Sequence, residues 1–126
     1  METLYLDTHV VVWLFAGEID KISNKGLELI EACELFVSPM VVLELEFLYE
    51  IGRLNYRHDA IMGSLAQSID LKVCTLPFDT IAMESIQYNW TRDPFDRLIV
   101  ANAARNASKL LSRDRKIREH FDGAIW

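Results

Sequence analysis

Cysteine, histidine, proline and glycine are all scarce in this chain of 126 residues, at two, three, three and five copies. Cys33 and Cys74 stand far apart in apolar surroundings, with no C-x-x-C and no Cys/His pairing. That argues against a disulfide framework and a zinc site, and for buried reduced thiols. No apolar run approaches membrane-spanning length. The opening stretch carries Glu2 and is broken by Asp7 and His9, which is wrong for a signal peptide, so a soluble, cytoplasmic protein is expected. There is no linker, repeat or low-complexity segment, and the length suits one domain, residues 1–126. Such a domain buries roughly two-thirds of its unfolded surface without staples.

Positive charge is also short. Thirteen Lys/Arg face 19 Asp/Glu, a net charge of −6, which argues against binding nucleic acid by bulk electrostatics. The deficit is uneven. Residues 1–90 hold 5 basic and 14 acidic side chains, whereas residues 91–120 hold 8 and 4. A basic segment on an acidic chain fits a local polyanion site, and equally a set of solvated helix faces.

What the chain does have is apolar pattern, with 51% hydrophobic residues. "TLYLD" (3–7), "LFVS" (35–38), "LKVCTL" (71–76) and "KLLS" (109–112) read as short strands, and "AIW" as a further one. Helical stretches separate them: "THVVVWLFAG", "KISNKGLELIEAC", "PMVVLELEFLYEIGRL" stopping near Gly52, "HDAIMGSLAQSID", "PFDTIAMESIQYNW" and "RDRKIREHF". Strands alternating with helices of ten to fifteen residues predict an α/β fold on a mostly parallel sheet. Such sheets bind ligands beyond the carboxyl ends of their strands, where the strand order reverses.

Acidic residues fall at those ends. Asp7 closes the first strand. Ser38 closes the second, and Glu44 lies one to two turns into the following helix, among Val42, Leu43, Leu45 and Phe47. Ser112 closes the fourth, with Asp114 two residues on. "WTRDPFDRLIVANAARN" opens the helix before it. There Asp93 is a good N-cap, Pro94 suits the first helical position and Asp96 falls at N3. Each acid has a bland explanation, as a cap or as a solvated position like Glu46 and Glu50. Together they bring carboxylates from four segments to one predicted sheet edge. Clustered carboxylates resist ionising together unless a cation neutralises them. Oxygen ligands without His or Cys suit Mg²⁺ or Mn²⁺, and such an ion assists phosphodiester hydrolysis.

"LYLDTHVVVWL", "VSPMVVLELEFL", "RDPFDRLIVANA" and "LLSRDRKI" together resemble the PIN-domain ribonucleases, and among them the VapC-like toxins of toxin–antitoxin pairs. The match spans residues 4–117 in family order. The resemblance implies a PIN-like α/β/α sandwich with four to five strands and Mg²⁺- or Mn²⁺-dependent endoribonuclease activity on RNA. Asp7, Glu44, Asp96 and Asp114 match the family's acidic quartet, which holds metal and activates water. Ser38 and Ser112 match its supporting hydroxyls, and Asp93 matches an extra aspartate of the "DPFDR" subgroup. The resemblance further implies a homodimer and a cognate antitoxin whose tail occupies the acidic groove.

Arg92, Arg97, Arg113 and Arg115 are the RNA phosphate-contact candidates, and His9 is expected to pack or to lie at the surface. Two other readings compete. One is a non-catalytic binding module whose acidic groove holds a basic peptide. The other is a phosphotransfer receiver or phosphatase, for which "LDTH" lacks the D-x-D spacing and no strand is followed by Lys-Pro.

Overall fold

Leu4, Tyr5 and Leu6 form the uninterrupted apolar run of a strand covered on both faces, and they build β1 (Thr3–Leu6) at the centre of the sheet. The computed structural model describes all 126 residues. After β1 come α1 (Thr8–Ala16), a single 3₁₀ turn (Ile19–Lys21), α2 (Asn24–Ala32), β2 (Glu34–Val37), α3 (Pro39–Glu50) and α4 (His58–Ile69). Then follow β3 (Lys72–Val73), α5 (Phe78–Ser85), α6 (Pro94–Arg105), β4 (Lys109–Leu111), α7 (Arg115–His120) and β5 (Ala124–Ile125). No helix is long and apolar enough to cross a membrane.

All strand pairs are parallel, in the order β3-β2-β1-β4-β5. Parallel neighbours need crossovers, which the helices supply, so Val10, Val11, Val41, Leu45, Ile99, Val100 and Ala103 join the sheet's Leu35, Val37, Leu110 and Leu111 in one core. The chain winds outward from β1 through β2 to β3, then returns to lay β4 and β5 on the other side. The order therefore reverses between β1 and β4. Leu6 pairs with Leu111, so Asp7 and Ser112 leave the sheet side by side at that switch point.

Several elements differ from the sequence expectation for definable reasons. The third strand shrinks from 71–76 to Lys72–Val73, because β2 ends at Val37 and the ladder has nothing to continue along. The helix expected from residue 21 starts at Asn24, where the Ser23 hydroxyl accepts the Gly26 amide, after the 3₁₀ turn. The helix expected from Pro77 to Trp90 stops at Ser85. Ser85 Oγ bonds back to the Ala82 carbonyl, and Arg97 Nε of α6 captures the Tyr88 carbonyl at 2.9 Å. Glu46 is at the surface but is not a free solvated acid. It accepts Arg57 Nη2 at 2.6 Å and faces His58 Nδ1 at 3.0 Å, tying α3 to the start of α4. These two partners hold its carboxyl at about 2.

Candidate active site

Asp7 is buried at the end of β1 and is the best satisfied of the acids. Its Oδ1 accepts the Thr8 amide at 2.8 Å, capping α1, and its Oδ2 accepts Ser112 Oγ at 2.6 Å. Its own amide donates to the Leu111 carbonyl at 3.0 Å, so β4 fixes both the backbone and the carboxylate. Glu44 comes from α3 and accepts the Thr8 hydroxyl. Burial raises its pKa, with Asp7 and Asp93 adding to the rise and the Thr8 hydrogen bond opposing it.

The two aspartates of the "DPFD" stretch divide the work. Asp93 caps α6 by accepting the amides of Phe95 and Asp96, at 2.8 and 3.4 Å, with Pro94 in the first turn. Asp96 caps nothing. No hydrogen-bond donor meets its carboxylate, and it is pushed up to about 7 by burial and by the charges of Asp93, Asp7, Asp114 and Glu44. Asp114 serves twice: its Oδ1 accepts the Ile117 amide at 3.0 Å to cap α7, while its own amide donates to Ser112 Oγ at 3.1 Å.

All five carboxylates line one cavity of about 430 Å³, with Thr8, His9, Val12, Trp13, Leu48, Arg53 and Leu54 as the rest of its wall. No three His, Cys, Asp or Glu side chains converge tightly enough to form a closed cage for an ion. An open set of oxygen donors suits Mg²⁺ or Mn²⁺, which keep several waters and bind through few carboxylates. The raised Asp96 carboxyl, with no donor to offset its neighbours' charge, is the group that a cation relieves most. The residues present therefore fit such an ion.

The remaining expected residues are scattered. Ser112 joins the cluster. Ser38 does not touch it; wholly buried, its Oγ donates to Asn102 Oδ1 at 2.5 Å and accepts the Met40 amide, so it caps α3 and couples that helix to α6. None of the four arginines lines the cavity. Arg97 is spent on the Tyr88 carbonyl, Arg92 on that of Asn89 and Arg115 on Glu119, while Arg113 reaches over the Trp13 ring. The only Lys or Arg in the wall is Arg53, from the α3–α4 connection, which sequence reasoning passed over. Thr8 and Asn102 were also missed. Thr8 has a signal in hindsight, since a hydroxyl beside a strand-end aspartate serves the next helix's first turn. Asn102 has a weaker one, a polar side chain inside the apolar run of α6.

His9 is held closer to the site than expected. Its Nε2 accepts the Arg113 amide at 2.8 Å, which puts the ring proton on Nδ1, 3.7 Å from Asp7 Oδ2. Burial lowers its pKa; Asp7 and Asp114 pull the other way, and Arg113 adds to the lowering.

A family model described as PIN domain matches residues 4–120. Ribonuclease VapC22 of Mycobacterium tuberculosis is 30% identical over 123 residues, covering 95% of this chain and 93% of that protein. Two solved structures share the fold at 16% identity and a TM-score of 0.68, each covering 98% of this chain and 96% of the other. They are VapBC2 from Rickettsia felis bound to a DNA fragment from its promoter, and a toxin–antitoxin complex from Klebsiella pneumoniae.

Proposed function

The chain belongs to the PIN domain family, and from that premise we propose that it is a metal-dependent endoribonuclease, the toxin of a toxin–antitoxin pair. The observation that supports this most is the crowding of Asp7, Glu44, Asp96 and Asp114 into one cavity at the switch point. Its uncommitted member, Asp96, has a carboxyl pushed up to about 7 by burial and by the neighbouring acids. These four side chains would hold Mg²⁺ or Mn²⁺. When bound, such an ion neutralises charge on the scissile phosphate and lowers the pKa of its water.

The chain's own part is positioning and proton handling. Asp7 is locked by Thr8 N–H and Ser112 Oγ–H, and presents a fixed charge. Glu44 is aimed by the Thr8 hydroxyl. Asp96, whose carboxyl is raised to about 7 without an ion, would give up its proton as the ion binds and then be held ionised as a ligand. Asp93 supports Asp96 by starting its helix, and Ser38 supports Glu44 and Asp96 by bolting their two helices together. Arg92, Arg97, Arg113 and Arg115 remain candidate RNA contacts around the cavity; changing them should flatten the salt dependence of RNA binding.

Two partners complete the proposal. An apolar groove lined by Phe15, Ala16, Tyr56 and Ile61 adjoins the acidic cavity and shares Val12, Arg53 and Leu54 with it, a surface suited to an antitoxin segment that ends in the acids. A homodimer has a candidate face where Leu43 and Phe47 of α3, Phe78 and Met83 of α5, and Ile86 just past α5 stand exposed on the two helices that flank α6. Asp7→Asn and Asp96→Asn, assayed for RNA cleavage with Mg²⁺ or Mn²⁺, test the mechanism. Undiminished cleavage in both variants would sink it. Calorimetry separates the competing non-catalytic module, which need not bind divalent ions at the groove.

A further inference from the structure

The sheet edge that delivers the acids also delivers an aromatic group. β5 pairs with β4, with the Ser112 amide donating to the Ile125 carbonyl at 3.1 Å, so Trp126 emerges beside Ser112 just as Asp7 does. On α1, His9 and Trp13 lie one turn apart and face the same way. The three rings meet: His9 to Trp13 at 5.0 Å between centroids, Trp13 to Trp126 at 6.1 Å and His9 to Trp126 at 6.2 Å. Arg113 places its guanidinium 5.9 Å from the Trp13 ring, with its backbone anchored on His9 Nε2. His9 and Trp13 are part of the wall of the acidic cavity, and neither tryptophan is fully buried.

We propose that Trp13, flanked by His9 and Trp126 and topped by Arg113, is the stacking platform for one nucleobase of a single-stranded RNA whose scissile phosphate lies over the carboxylates. This rests on the nuclease reading above and says how the substrate is held. Flat aromatic rings beside a cation are how single-stranded nucleic acid is gripped, because every base has a π face and every nucleotide carries a phosphate. Acids not neutralised by an ion repel the backbone, and the platform is an aromatic surface bordering them that can add affinity the acids do not. The geometry favours a base over the side chain of a basic peptide. Arg113 already sits over Trp13, so an incoming guanidinium meets like charge there, whereas a nucleotide's phosphate would draw Arg113 off the ring and leave that face to its base.

The probes are a fluorescent hexauridylate and a ribose-phosphate hexamer of the same length without bases. Binding is measured in Ca²⁺ to wild type, Trp13→Phe and Trp13→Leu, with melting temperatures recorded so that folding is known for each. The platform predicts that hexauridylate quenches tryptophan emission and binds about tenfold tighter than the abasic hexamer, the order of one base–aromatic stack. Trp13→Phe should keep most of that preference, and a folded Trp13→Leu should lose it while binding the abasic hexamer unchanged. Trp126→Ala, the second variant, should narrow the preference without unfolding the core. Equal binding of the two hexamers by wild type, or an intact preference in Trp13→Leu, overturns the proposal. So does quenching by an Arg-containing peptide with none by RNA, which assigns the rings to a protein contact. Cleavage in Mn²⁺ is scored separately: wild type that binds with base preference but does not cut overturns the nuclease reading and leaves the platform standing.

Discussion

Ser112 Oγ donates to Asp7 Oδ2 at 2.6 Å across 105 positions of sequence, joining the ends of two strands that lie side by side where the sheet reverses its order. Asp7 is buried, so this hydrogen bond to a charge is shielded from water and resists screening. Ser112→Ala removes it and also strips the Asp114 amide of its acceptor. The expected cost is about 2 kcal/mol of unfolding free energy, read by urea titration in chelator, together with reduced RNA cleavage. A loss below about 0.5 kcal/mol, the scale of an ordinary surface change, would mean that the bond does not organise the site.

Asp96 should oppose folding at neutral pH. Its carboxyl is raised from 3.8 to about 7 in the folded protein, so the folded state binds the proton more tightly than the unfolded state. Any stabilisation from this proton is complete below pH 3.8 and is lost as pH rises through about 7. Asp96→Asn should therefore raise the melting temperature of the metal-free protein at pH 8 and change it little at pH 4. A variant no more stable than its parent at pH 8 would contradict the crowding argument.

The same proton competes with a cation. Below about pH 7, affinity for Mn²⁺ should weaken by about tenfold per pH unit as Asp96 takes up its proton. Calorimetry in two buffers of different ionisation enthalpy would detect the released proton. In Asp96→Asn that proton release should vanish.

Ser38 and Asn102 form the bolt between α3 and α6. Ser38→Ala leaves Asn102 Oδ1 without its donor and strips the Met40 amide of its cap, and Asn102→Ala leaves the Ser38 hydroxyl proton without an acceptor, so each should cost about 1–3 kcal/mol. The double variant should cost less than their sum, by about 1 kcal/mol or more, in a double-mutant cycle. Strict additivity would show that the two helices are coupled by packing alone.

Met83 of α5 and Ile86, just past its end, stand 70% and 62% exposed. If this face joins two copies, Met83→Glu with Ile86→Glu should give a monomer by light scattering while leaving the melting profile of the fold intact. A dimer that survives both changes places the interface elsewhere.

Much of this site was legible before any coordinate. Short apolar runs placed β1, β2 and β4, helical periodicity placed the flanking helices, and the strand ends then pointed to Asp7, Asp114 and the helix start at Asp93. Local rules could not decide whether Asp96 was a cap or a site residue, because both uses fit the N3 position. Only the tertiary fold shows that its carboxylate meets four other acids and no donor. Illegible for the same reason were Arg53, which enters the cavity from a connection with no periodicity, and the fate of Arg92, Arg97 and Arg115, each claimed by a carbonyl or a carboxylate that sequence spacing does not reveal. The shortened β3 and α5 were misjudged because their ends depend on distant partners, Val37 and Arg97.

The place of β4 beside β1 also sets an order on synthesis. The first acid of the site in chain order, Asp7, waits for Leu111 to accept its amide and Ser112 to hold its carboxylate. Asp114, which completes the quartet, follows only two residues later. Closing so long a loop comes late in folding. A nascent chain that shows Asp7, Glu44 and Asp96 but not β4 is a partial sheet with an open edge and no assembled site. If the chain is a nuclease, its topology ties assembly of the acids to residues 109–114, because β4 must lie beside β1 before Asp7 and Asp114 are in place.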